Sequence, residues 1–262
     1  MPRLDPPPWL SRLVPGWQPT LAYQLMPEVT TWRLTHPDGR VRFAKISACR
    51  GYPTLAGEAE RMVWAAAYLP VPTVVAVEDV DGSTVLITEG LRGHDATDPK
   101  WSGDRAGLVR ILGEGLAAFH RAVGEEWCPF RFEVGVALEH VRHRAEAGRL
   151  DPAHQFHPEY RHLTAASAVA RLEATAPDAE DLVVCHGDYC PPNVLLADGR
   201  VTGYVDVGEL GVADRWWDIT VGAWSAGWNF GTEYEPLFYE SYGIEPDPDR
   251  IAFYRLLWEC VS

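Results

Sequence analysis

The sequence predicts an α+β chain in two lobes, a small antiparallel sheet first and a larger, mainly helical part second. Three observations predict it. Alternating apolar segments separated by Asp-Gly pairs dominate residues 20–90. Helical periodicity dominates the rest of the chain. One polar-looped hairpin, at residues 182–206, interrupts those helices.

The elements follow in order. Arg40 to Ile46 alternates after the Asp38-Gly39 turn and reads as a strand. Leu55 to Leu69 has a helical pattern, with Glu58 and Glu60 on its first turns. Asp81-Gly82 closes a second hairpin. Val85 to Glu89 then runs into Gly90-Leu91-Arg92-Gly93, a hinge that sets lobes of residues 1–89 and 90–262. Helices are expected at 103–123, 133–148, 165–176, 214–228 and 248–261. Between them, Leu182-Val183-Val184-Cys185 is a buried strand. Val194 to Ala197 and Val201 to Val205 pair across Asp198-Gly199.

Composition narrows the function. The chain has 262 residues, 47% hydrophobic and 23% charged, ordinary for a globular protein. No apolar run approaches the ~18 residues of a membrane span, and the Pro-rich start lacks a signal-peptide core. Five cysteines, at 49, 128, 185, 190 and 260, include no C-x-x-C pair. Reduced thiols in a cytoplasm are the simplest reading, without a zinc site. A net charge of −14 argues against nucleic acid and suits a cationic small molecule. Nothing in the pattern sets an oligomeric state.

The chemistry concentrates in His186-Gly187-Asp188-Tyr189-Cys190-Pro191-Pro192-Asn193, followed by Asp206-Val207-Gly208. Asp188 and Asn193 are five residues apart, and Asp206 comes thirteen after Asn193. Protein kinases space a catalytic Asp, a metal-binding Asn and a metal-binding Asp in this way. Phosphoryl transfer from ATP needs one carboxylate at the acceptor hydroxyl and oxygen ligands for Mg2+. A kinase also needs a lysine on the nucleotide phosphates. Only two lysines occur against 21 arginines, and Lys45 lies in an alternating strand. Glu58 and Glu60 both qualify by position to pair with it.

These residues resemble the aminoglycoside phosphotransferases, of the 3′ and 3″ types. The resemblance rests on Leu182 to Leu196, Val201 to Arg215 with Asp218, Phe43-Ala44-Lys45-Ile46, Gly57 to Trp64, Leu116 to His120, Cys128-Pro129-Phe130 and Ile251 to Leu257. It implies a two-lobed protein-kinase-like fold and an ATP-dependent O-phosphotransferase acting on an antibiotic. Asp188 would be the catalytic residue, with Asn193 and Asp206 as magnesium ligands. Lys45 would hold the α/β-phosphates, Glu58 would anchor Lys45, and Phe43 and the backbone of Thr88 to Gly90 would bind adenine. His186 would brace the catalytic loop.

Departures from the family pattern bear on nucleotide and substrate. The loop Leu25 to Thr31 has no glycine, so Thr30 or Thr31 would supply hydroxyls to the phosphates. Glu209 stands where the family often has Arg. The substrate candidates are Glu159, Trp228, Asn229, Trp258 and Glu259, fewer acids and more aromatics than several-amine aminoglycosides call for. Trp216, Trp217 and Trp224 are expected in the core with most of the chain's tryptophans. The alternatives are a kinase of this fold for another hydroxyl (a metabolite, macrolide or peptide antibiotic) and a catalytically impaired nucleotide-binding relative.

Overall fold

The computed structural model describes residues 4–26, 29–48 and 53–261. Pro27, Glu28, Cys49 and Ser262 lie outside them. The chain divides into two compact units: Met1–Gly93 with Thr202–Glu209, and His94–Val201 with Leu210–Ser262. The sequence sets its boundary after Glu89, and the first compact unit runs on to Gly93. That boundary also overlooks the return of 202–209 to the first unit, which no local pattern signals.

The first unit carries α1 (Leu10–Leu13), β1 (Gln18–Met26), β2 (Val29–Thr35), β3 (Val41–Ser47), α2 (Leu55–Ala65), β4 (Val74–Val80) and β5 (Ser83–Glu89). Its sheet is antiparallel in the order β1-β2-β3-β5-β4. Alternation explains the face: Trp32 and Leu34 of β2, Ala44 and Ile46 of β3, and Val85 and Ile87 of β5 share one core. Trp9, Leu10 and Val14 join that core, so part of the Pro-rich start is structural. At the β4–β5 turn Asp81 and Gly82 both take positive φ, 49° and 79°, as a two-residue hairpin needs. Thr54 caps α2 by accepting from Gly57 N at 3.0 Å. That helix ends at Ala65, short of Leu69, because the amides of Ala67 and Tyr68 tighten to the i−3 carbonyls of Trp64 and Ala65 before Pro70.

The second unit carries β6 (His94–Asp95), α3 (Arg105–His120), α4 (Val134–Glu146), α5 (Pro152–Gln155), α6 (Ala165–Thr175), β7 (Leu182–Cys185), β8 (Val194–Ala197), the start of β9 (Arg200–Tyr204), β10 (Gly211–Asp214), α7 (Trp216–Phe230), α8 (Glu235–Tyr242) and α9 (Pro248–Val261). The expected helix at 214–228 starts later, because Gly211–Asp214 is a strand paired antiparallel with β7. Asp214 Oδ1 then accepts from Trp216 N at 3.0 Å and opens α7. Helix α7 is buried over most of its length, as an all-round apolar sequence requires. Gly222 makes room in it for α8: a Cβ there would lie 2.6 Å from the Phe238 ring.

Candidate active site

In the first unit, β3 pairs with β2 and β5 and presents Lys45. Lys45 Nζ lies 2.9 Å from Glu58 Oε2 and 2.5 Å from Asp206 Oδ1. Glu58 is 2% exposed on the first turn of α2, whereas Glu60 is exposed. Burial draws the Lys45 ammonium down, but the Glu58 and Asp206 charges outweigh it and hold Lys45 above its ordinary value. Burial likewise pushes Glu58 up, against the opposing pull of Lys45. Asp206 takes φ 59°, a left-handed conformation that Asp tolerates better than most residues. Gly208 permits close approach: a Cβ there would lie 3.2 Å from Pro53 Cβ and 3.6 Å from Glu58 Cβ. With Oδ1 on Lys45, Asp206 keeps Oδ2, a hard oxygen of the kind magnesium takes.

Phe43 is half-buried and registers opposite Thr88, which is buried. The amide of Glu89 donates to Thr73 O (2.9 Å) and that of Gly90 to Val41 O (2.8 Å). Thr30 and Thr31 lie inside β2 rather than in a loop. Thr30 is buried and its Oγ1 accepts from Trp32 Nε1 at 3.0 Å, so that hydroxyl faces the core and not a phosphate.

In the second unit, β7 runs into the polar turn and a 3-10 turn over Pro191–Asn193 follows. Asn193 Nδ2 donates to Asp188 O (3.0 Å) and Asp188 Oδ2 (2.8 Å). Its amide oxygen is the atom left to ligate a cation. Cys190 Sγ donates to Asp188 Oδ1 at 3.0 Å. Burial, then the Asp188 charge, push that thiol well above the ordinary thiol range. Asp218, 0% exposed on α7, clamps the turn from beneath. Its Oδ2 accepts from His186 N (2.6 Å) and lies 3.1 Å from His120 Nε2; its Oδ1 accepts from Gly187 N (2.9 Å). Trp217 Nε1 donates to Gly187 O at 2.6 Å. His186 is buried, and its Nδ1 accepts from Asp188 N at 3.3 Å.

A cavity of about 430 Å³ in the second unit gathers Trp228, Trp258 and Glu259 with His157, Arg161 and Gln155. His157 stacks on Trp228, ring centres 5.6 Å apart and planes 20° apart. Trp216, Trp217 and Trp224 are buried, while Trp228 is 44% exposed. Glu259 Oε2 accepts from His157 N at 2.9 Å, and burial pushes its carboxyl up to about 7. Glu159 is exposed and does not line this cavity. Asn229 Nδ2 turns back to Ser225 O at 2.8 Å. Arg161 carried no signal in the sequence, and His157 was one of four histidines between 143 and 162 that marked the region without being singled out.

The profile of the "Phosphotransferase enzyme family" matches residues 28–254. A Streptomyces fradiae protein named aminoglycoside 3′-phosphotransferase is 38% identical over 78% of this chain and 79% of its own length. The chain belongs to the phosphotransferase enzyme family. Among solved structures, an aminoglycoside-3′-phosphotransferase of type VIII superposes with a TM-score of 0.85 at 32% identity, covering 96% of each chain. An aminoglycoside phosphotransferase from Streptomyces rimosus, solved with ADP and streptomycin, gives 0.74 at 28% identity over 97% of this chain and 96% of its own. The predicted kinase-like α+β fold and the resemblance read from the sequence both hold, and this family member is an enzyme of phosphoryl transfer. No helix among the described residues is long and apolar enough to cross a membrane.

Proposed function

We propose that this phosphotransferase moves the γ-phosphoryl group of ATP to a hydroxyl of an aminoglycoside-type antibiotic, in the cytoplasm, and so confers resistance. The observation that carries the reading is the state of Asp188. Donors from Asn193 and Cys190 fix its carboxylate, and Asp218 fixes its loop from a buried helix. A base held in one orientation is what in-line transfer to a hydroxyl requires. Asp188 orients the acceptor hydroxyl and takes its proton. Lys45, kept cationic by Glu58 and Asp206, balances charge on the α/β-phosphates. Asn193 and Asp206 would hold Mg2+, whose charge would neutralise the phosphates. Phe43 stacks near the adenine.

The acceptor is less amine-dense than kanamycin or neomycin. Each ammonium brought out of water wants a carboxylate partner. The cavity offers one acid, Glu259, and it also contains Arg161. Trp228, stacked with His157, suits the flat face of a sugar ring instead. A streptomycin-like or hygromycin-like compound fits these features.

Turnover of ATP with an acceptor panel tests both parts. Asp188→Asn should bind nucleotide normally and lose on the order of 10²–10⁴-fold in kcat. Near-normal kcat in that variant would remove Asp188 from the mechanism. Efficient phosphorylation of kanamycin, lost in Glu259→Ala and untouched by Trp228→Ala, would overturn the substrate reading.

A further inference from the structure

The carboxylate of Asp188 is held by two donors of unequal strength. Asn193 Nδ2 lies 2.8 Å from Oδ2, and Cys190 Sγ lies 3.0 Å from Oδ1. The terminal torsion of an Asp side chain is broad and two-fold, so a single donor leaves the carboxylate free to swing. Donors on both oxygens stop the swing. A thiol is a weak donor. It orients the carboxylate while withdrawing less electron density than a hydroxyl or an amide would.

Cys190 is itself fixed. Its N–H donates to Asp188 O and its C=O accepts from Asn193 N, both at 2.8 Å. The buried Ser225 side chain of α7 counters part of the rise that burial and the Asp188 charge impose on the same thiol. One turn on, Asn229 Nδ2 donates to Ser225 O at 2.8 Å and lies 3.4 Å from Ser225 Oγ. Polar side chains therefore run in series from Asn229, next to the cavity wall at Trp228, to Ser225, Cys190 and Asp188, with hydrogen bonds at the Asn229–Ser225 and Cys190–Asp188 steps.

We propose that Cys190, fixed by its backbone bonds in the turn, is a positioning residue for the catalytic carboxylate, and that its S–H, with Ser225 beside it, fixes which oxygen of Asp188 meets the acceptor hydroxyl. This rests on the reading of Asp188 as the base. The series ties the last turn of α7, which walls the acceptor cavity, to the orientation of the base.

Steady-state kinetics on the full-length enzyme, with ATP and the best acceptor from the panel, test it. A base displaced by an ångström can cost up to about 10²-fold, so Cys190→Ala should lower kcat on the order of tenfold while KM for ATP and acceptor move by less than about twofold. Cys190→Ser, which keeps a donor at the same point, should recover most of the loss. Ser225→Ala should lower kcat by a smaller factor, and that factor should vanish in the Cys190→Ala background, because Ser225 acts through the thiol. The proposal is overturned by a Cys190→Ala enzyme with wild-type kcat, by equal losses in the Ala and Ser variants, or by independent, multiplying losses at 190 and 225. If Cys190→Ala fails to fold, Cys190→Ser and Ser225→Ala decide: wild-type kcat in Ser225→Ala, or a loss in Cys190→Ser as large as in Asp188→Asn, overturns it. Asp188→Asn separates the two levels. Unchanged turnover there removes the base itself, whereas its loss beside an unaffected Cys190→Ala removes only the positioning role.

Discussion

Asp218→Ala should be the most destabilising single change near the His186–Asp188 turn. The carboxylate is 0% exposed and accepts from two backbone amides, His186 N at 2.6 Å and Gly187 N at 2.9 Å, with His120 Nε2 at 3.1 Å. Truncation leaves two buried N–H groups without an acceptor, at about 1–3 kcal/mol each. Water entering the vacated space offsets part of this, which leaves about 3 kcal/mol. For a chain of this size 1 kcal/mol shifts Tm by roughly 2–4 °C, so Tm should fall by about 6–12 °C. Asp188→Asn is the control, because it leaves the Asp218 clamp intact. Asp218→Asn, which keeps one acceptor oxygen, should fall between. Differential scanning fluorimetry and urea unfolding measure the shift, and turnover at a temperature where the variant is folded measures the loop. A Tm within about 2 °C of wild type, with kcat intact, would refute the clamp.

Three further outcomes follow from the geometry. Asp206→Ala should weaken Mg2+-dependent nucleotide binding, because it removes a hard oxygen ligand and one of the two anions on Lys45; calorimetry with and without Mg2+ checks it, and unchanged metal dependence counts against the site. The Glu259 carboxyl lies at about 7 in the folded protein against an ordinary 4.5, so its contribution to stability is full below 4.5 and is lost as pH rises through 7. Glu259→Gln should therefore gain Tm relative to wild type on going from pH 4.5 to pH 8, and a constant difference across that window would contradict the burial argument. Trp228→Ala should raise KM for the true acceptor more than it lowers kcat, since stacking on one sugar face is uniform binding; the reverse split in acceptor kinetics would exclude it.

Local pattern made most of this legible. Asp81-Gly82 and Asp198-Gly199 announced their hairpins because few other dipeptides take two positive φ angles at low cost, while at Asp38-Gly39 only the glycine does. The Lys45–Glu58 pair was half legible: helical spacing admitted Glu58 and Glu60 alike, and only packing buries one of them. Asp218 was visible as a motif residue, but its three partners lie 98, 32 and 31 positions away, beyond any local pattern. The short strand β10 was not anticipated; only its last residue, Asp214, fell inside the expected 214–228 helix, and a four-residue strand offers too little pattern to read. Thr30 illustrates the converse error. The family resemblance placed it in a phosphate-side loop, but it lies in β2, paired with Gln24 of β1 and Ile46 of β3, partners that no pattern in that loop points to.

The return of residues 202–209 to the first unit limits how such an enzyme can be recombined. The nucleotide-side unit is not one stretch of gene. Tyr204 N donates to Pro70 O (2.9 Å), Thr202 Oγ1 donates to Arg92 O (2.7 Å), and Asp206 completes the Lys45 pair. A crossover placed at Gly93 would transplant Lys45 and Glu58 but leave their third partner behind in the recipient's sequence. Chimeras between relatives should therefore keep function when both stretches travel together. Those joined at Gly93 alone should inherit a lysine paired to a foreign carboxylate loop.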